Sequence, residues 1–431
     1  MSNPTLIGPP EIYIAGPTAT LAQTAPAPAS DPAPIPTVTG TTPSDPFMDL
    51  MVSPNMTLTE NSSPTFLTTG NPCLDFFFHV VPDTPPATLL QRLQLAWAHN
   101  SLTALKLVCN LRGIRGTGKS DRRNFYGAAI WLHRHHPKTL AANIPSLADF
   151  GYFKDLPEIL YLLVEGSDAR EIQKREWCKE KLKSGKSTIA AGALLPHQII
   201  RSLDNGDCGD VADLQWKRVV DDLKKKGTMK SCLAVCDVSG SMDGLPLEVC
   251  VALGLLVSEL CEEPWKGKVV TFSADPQLHL IKGDDLKSKK EFVMNMDAGW
   301  NTDFQKVFDL ILEVAVSGNL KADQMIKKLF VFSDMEFDQA STNPWETDYQ
   351  AITRKFGEKG FGDVVPQMIF WNLRDSKATP VPANQKGVAL LSGFSKNLLT
   401  LFLDKEGELN SVETMEAAIS GSEYQKLVVL D

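Results

Sequence analysis

Ser231-Cys232-Leu233-Ala234-Val235-Cys236 runs directly into Asp237-Val238-Ser239-Gly240-Ser241-Met242, and the reading of these twelve residues decides the fold. An apolar run that ends in acid and hydroxyl residues, followed by the helical pattern of Leu247 to Cys261, spells a buried strand, a loop and a helix. The same rhythm continues downstream. Strands are expected at Val269 to Phe272, Leu278 to Ile281, Lys328 to Phe332, Pro366 to Asn372 and Gly387 to Leu391. Helices fit between them at Lys287 to Met294, Phe304 to Val316 and Trp345 to Phe356. Near-continuous apolar strands alternating with helices predict an α/β domain over residues 230–431, with a doubly wound, mostly parallel sheet covered on both faces.

In such a sheet, ligands bind outside the carboxyl ends of the strands, near the point where strand order reverses. Asp237, Ser239 and Ser241 lie there, one carboxylate and two hydroxyls at alternate positions. Two later loops add Thr302, in Gly299-Trp300-Asn301-Thr302-Asp303, and Asp334, at the end of the Lys328 strand. All five offer oxygen, the donor that Mg²⁺ or Mn²⁺ prefers. Helix capping by Asp237 and Ser239 would explain the first loop alone, but neither Thr302 nor Asp334. An aspartyl-phosphate enzyme would need a second acid two residues after Asp237, where Ser239 stands.

These five residues resemble the metal-ion-dependent adhesion site of von Willebrand factor A domains. The resemblance implies that Ser239, Ser241 and Thr302 coordinate the ion directly, and Asp237 and Asp334 directly or through water. The third loop reads Ser333-Asp334-Met335-Glu336 where many members have Thr-Asp-Gly. From about Leu89, the chain resembles an uncharacterised plant and giant-virus family, in which a TROVE-like helical region precedes a von Willebrand A-like domain. More distantly it is similar to the Ro-type TROVE proteins, which join a ring of helical repeats to such a domain and bind small RNAs. Asn110-Leu111-Arg112-Gly113-Ile114-Arg115-Gly116, Ala190-Ala191-Gly192-Ala193-Leu194-Leu195-Pro196-His197 and the Asp237 motif carry this likeness. Between Cys178 and Lys186 the helical part is much shorter than in that family.

Upstream, the composition changes twice. Seventeen of the 28 prolines fall before residue 89, as in Ala25 to Pro36 (APAPASDPAPIP), and no Lys or Arg precedes Arg92. Residues 1–86 are therefore expected to form a disordered, partly polyproline arm. Residues 87–229 are expected to form a basic α-helical, solenoid-like region, with helices through Leu89 to Trp97, Leu102 to Val108, Asn124 to His133 and Leu156 to Val164. The net charge of -9 divides into -7 over residues 1–88, +9 over 89–230 and -11 over 231–431. A basic middle segment could meet phosphates, although solvated runs such as Lys224-Lys225-Lys226 account for much of the excess.

Gly113-Ile114-Arg115-Gly116-Thr117-Gly118-Lys119-Ser120 matches the phosphate-binding P-loop pattern letter for letter. Its context is wrong: a P-loop joins a strand to a helix, whereas Ser101 to Leu111 reads as helix. His133, His135 and His136 have no ligand-spaced partner and read as surface residues closing a helix. The eight cysteines contain no C-x-x-C pair and read mostly as buried thiols. No apolar run approaches the ~20 residues that cross a bilayer. The expectation is a cytoplasmic, non-enzymatic interaction protein whose bound ion takes an Asp or Glu from a protein partner. The alternatives are RNA binding by the basic helical region and nucleotide hydrolysis through Lys119.

Overall fold

The computed structural model describes residues 55–152, 155, 159, 194–204, 209–272, 275–296, 303–338, 348–404 and 407–431. The described residues open with an antiparallel hairpin of β1 (Met56–Leu58) and β2 (Pro64–Phe66). Five helices follow: α1 (Pro72–His79), α2 (Pro86–His99), α3 (Ser101–Arg112), α4 (Arg122–His135) and α5 (Pro137–Phe150). After them come α6 (Pro196–Ser202) and α7 (Gly209–Lys224).

The sheet half contains β3 (Cys232–Cys236), α8 (Leu245–Leu260), β4 (Lys268–Thr271), β5 (Leu278–Leu280), α9 (Leu286–Met294) and α10 (Phe304–Ser317). It continues through β6 (Lys328–Ser333), α11 (Asp348–Glu358), β7 (Gln367–Asn372), β8 (Val388–Ser392) and α12 (Ser411–Ala418). The six strands lie in the order β5-β4-β3-β6-β7-β8, with only β5 antiparallel to its neighbour. Chain order runs outward in both directions from β3 and β6, so the switch point lies between those two strands. Every residue of β3 and of β6 is buried, because helices cover both faces of a parallel sheet. All six strands and four helices expected of this half are present, each within a few residues of the predicted ends.

Residues 55–86, expected with the rest of residues 1–86 to form a disordered arm, are folded instead. Cys73, Leu74 and Phe76 to Phe78 of α1 are buried in the same apolar core as the sheet, with α1 packed on β7 and β8. The prolines that suggested disorder open elements instead: Pro64 starts β2, while Pro72 and Pro86 occupy first-turn helix positions, where a missing N–H is no loss. The described residues fall within one compact unit, 45–431. The helix expected at Leu156 to Val164 lies outside the described residues, apart from the helical Ile159. The six described cysteines are all free and buried. Among the described residues no helix is long and apolar enough to cross a membrane.

Candidate metal centre

Two adjacent parallel strands deliver the acids. Asp237 follows β3 and Asp334 follows β6, one on each side of the switch point. Asp237 is fully buried and Asp334 almost so. The Asp237 N–H donates to the Phe332 carbonyl at 3.1 Å, extending the strand pairing by one residue and fixing where the carboxylate leaves the sheet. Its Oδ1 accepts from the Ser239 N–H at 3.0 Å, and its Oδ2 accepts from the Ser333 hydroxyl at 2.7 Å. The first loop then makes a single 3₁₀ turn over Gly240–Met242, which brings the Ser239 and Ser241 hydroxyls to 3.0 Å from each other.

Burial pushes the Asp237 carboxyl up to about 6, and the neighbouring charge of Asp334 adds to the rise, while the bonds from Ser239 and Ser333 work against it. Among the described residues no Lys or Arg forms an ion pair with either carboxylate. Two buried carboxylates and two hydroxyls at one end of the sheet, with no ion-paired Lys or Arg among the described residues, fit a small hard cation, which would supply positive charge between the acids. Among the described residues, no group of three or more His, Cys, Asp and Glu side chains is placed to hold a metal, so a nitrogen- or sulfur-rich centre of zinc type is not found there.

Of the five residues expected to converge, the structure brings Asp237, Ser239, Ser241 and Asp334 to one end of the sheet; Thr302 lies outside the described residues. Three features were not legible beforehand. Ser333 both donates to Asp237 and accepts from the Met335 N–H at 3.0 Å, so it ties the first loop to the third. Met335 stands where the resemblance has glycine, and it takes φ +69°, a conformation that glycine adopts without strain. The hairpin that the sequence reading assigned to an arm braces the same loop. The Glu60 N–H donates to Glu336 at 2.8 Å, the Asn61 amide to the Glu336 carbonyl at 2.8 Å, and the Thr59 hydroxyl to the Phe337 carbonyl at 2.7 Å.

The P-loop lookalike has another role. It joins α3 to α4, helix to helix, and Lys119 is buried. The Lys119 ammonium donates to the Phe77 and Val80 carbonyls at the end of α1 and to the Ser392 hydroxyl at the end of β8, the last two at 2.9 and 2.7 Å. A lysine used in this way has its donors engaged by two main-chain carbonyls and a hydroxyl of the fold, an arrangement unlike that of a phosphate-binding P-loop. Arg112, also in the basic segment, is buried against Asp155 at 2.9 Å. Two of the segment's cations therefore hold the fold together and offer nothing to a polyanion.

The site defines an α/β protein with an oxygen-lined centre at the switch point of its sheet. Residues 231–427 match a family described as a domain of unknown function (DUF7788), and residues 59–182 and 179–229 match a second, also described as a domain of unknown function (DUF2828). The second match begins inside the β1–β2 turn, in keeping with the folded state of that segment. An uncharacterized protein, L728, of Acanthamoeba polyphaga mimivirus is 35% identical over 230 residues, covering 53% of this chain and 40% of the viral protein. The chain is thus similar to uncharacterised families over both halves, and it matches well under half the length of that relative.

Proposed function

We propose that this is a non-enzymatic interaction protein of von Willebrand A-like type, which binds an acidic group of a protein partner through a divalent cation, Mg²⁺ or Mn²⁺. Asp237, Ser239, Ser241 and Asp334 hold the ion, with Thr302 as the fifth ligand in this reading. The observation that carries this reading is the pair of buried carboxylates after β3 and β6, with hydroxyls beside them and, among the described residues, no cationic side chain paired to either. Three of the five proposed ligands are neutral hydroxyls, and with Asp237 and Asp334 holding the ion partly through water it keeps incompletely neutralised charge and an exchangeable position, which a hard ion fills with an anionic oxygen.

Thermal denaturation with and without Mg²⁺ or Mn²⁺ tests the site. A ligand that binds only the folded state stabilises it by about 2.7 kcal/mol at a hundredfold excess over its Kd. The parent melting temperature should rise and that of Asp237→Ala should not. A parent that does not respond, or an equal response in the variant, would refute the assignment.

A further inference from the structure

Arg374 stands two residues beyond the end of β7, beside the switch point, and its guanidinium donates to the main-chain carbonyl of Ser241 in the first site loop. Its own N–H is fixed by the side-chain oxygen of buried Asn372 at 3.1 Å, and Asn372 is tied in turn to the Phe78 carbonyl at 3.4 Å. The preceding Leu373 N–H pairs with the Ser333 carbonyl at 3.0 Å. The arginine therefore stands on rigid backbone while its head is exposed.

Some surface cations of the sheet half have acidic partners: Lys289 meets Glu259 at 2.9 Å, and Lys355 meets Asp309 at 2.8 Å. Among the described residues Arg374 has no carboxylate partner, although Asp375 is next in sequence. A fixed positive charge at the mouth of a cation site repels the cation. Such a placement is unfavourable for metal binding alone, and becomes favourable once an anion lies between the two charges. One N–H on the Ser241 carbonyl leaves others of the planar fork for a carboxylate.

We infer that Arg374 is a second anchor for the partner's Asp or Glu, which the protein holds between the bound ion and this guanidinium. The inference rests on the metal reading above and deepens it: the acceptor of the acidic group is an ion and an arginine together. The competing role is mechanical, with Arg374 merely clamping the Ser241 loop. The two roles differ in sign. Loss of a clamp weakens metal binding, whereas loss of a repelling charge leaves it unchanged or strengthens it.

The test uses the full chain, Mn²⁺ binding followed by electron paramagnetic resonance, and a fluorescein-labelled oligoglutamate peptide followed by anisotropy. In the parent, peptide binding should require Mn²⁺. Arg374→Gln should weaken the peptide about fivefold or more, with Mn²⁺ affinity unchanged or up to about fivefold tighter, the upper range for an exposed charge interaction. Arg374→Lys should keep part of the peptide affinity. Peptide binding insensitive to Arg374→Gln, peptide binding that persists in chelator, or a parent that binds Mn²⁺ but no peptide would overturn the inference. Mn²⁺ and peptide affinities falling in parallel would overturn it in favour of the clamp. A parent that binds no Mn²⁺ would take down the metal reading as well.

Discussion

Lys119→Ala should destabilise the fold by about 3–5 kcal/mol without touching any catalytic activity. The lysine is about 2% exposed, and its three bonds join the end of α1 to the end of β8. Its ammonium also lies over the Phe77 ring, 4.9 Å from the centroid. Truncation removes the packed stem, about 2 kcal/mol of lost burial and cavity. It also removes the main donor to two buried carbonyls. The Ser392 hydroxyl lies 2.9 Å from one and 3.1 Å from the other, and its single proton can serve only one at a time. The carbonyl left over costs about 1–3 kcal/mol. Lys119→Met keeps most of the stem and should lose only that last part, about 1–3 kcal/mol. Urea denaturation of the parent and both variants, followed by far-UV circular dichroism, gives the comparison, with ATP turnover measured alongside. A Lys119→Ala variant within 1 kcal/mol of the parent, or ATP hydrolysis in the parent that disappears in the variant, would refute this account.

Gly254 of α8 faces β3 so closely that an added Cβ would lie 2.3 Å from the Cys236 sulfur. Gly254→Ala should therefore destabilise by about 1–3 kcal/mol despite the better helix propensity, and adding Cys236→Ala should recover most of the loss in a urea melt; a double variant no better than the single one would contradict this packing. Burial, with the charge of Arg201 adding to it, pushes His197 down to about 4 from its ordinary 6.5. Between those pH values the unfolded chain takes up a proton that the folded chain refuses, so this residue lowers stability as pH falls from 6.5 to about 4, by up to about 3 kcal/mol. Denaturant midpoints across that window should fall less steeply in His197→Gln, and identical slopes would exclude the effect.

The sheet half was legible because its elements declare themselves locally. Cys232 to Cys236, Lys328 to Ser333 and Gln367 to Asn372 are apolar runs of strand length, and the stretches between them carry the helical period. Asp237 and Asp334 were legible for the same reason, since each directly follows such a run. Residues 55–86 misled the sequence reading because proline content says nothing about register: the same residue type disfavours structure inside an element and starts one at its edge. Ser333 was visible only as a neighbour of Asp334, and Arg374 gave no signal, because each acts on a loop distant in sequence, at separations of 96 and 133 residues.

By itself, then, the sequence determined the alternation of strands and helices, the parallel sheet and which oxygen-bearing residues leave its strands, all of which follow from periodicities of two and 3.6 residues and from what directly follows a strand. Tertiary structure alone decided what those residues meet. It placed β3 beside β6, which sets two carboxylates against each other in a buried site. It also folded the hairpin back onto the third loop and carried Arg374 to the first. The P-loop letters of residues 113–120 make the same point. The string is compatible with a phosphate cradle, and only the packing of α1 against β8 shows that Lys119 spends its donors on buried carbonyls. A local pattern fixes which groups a segment offers, whereas burial and long-range contact fix which of those groups remain free to act.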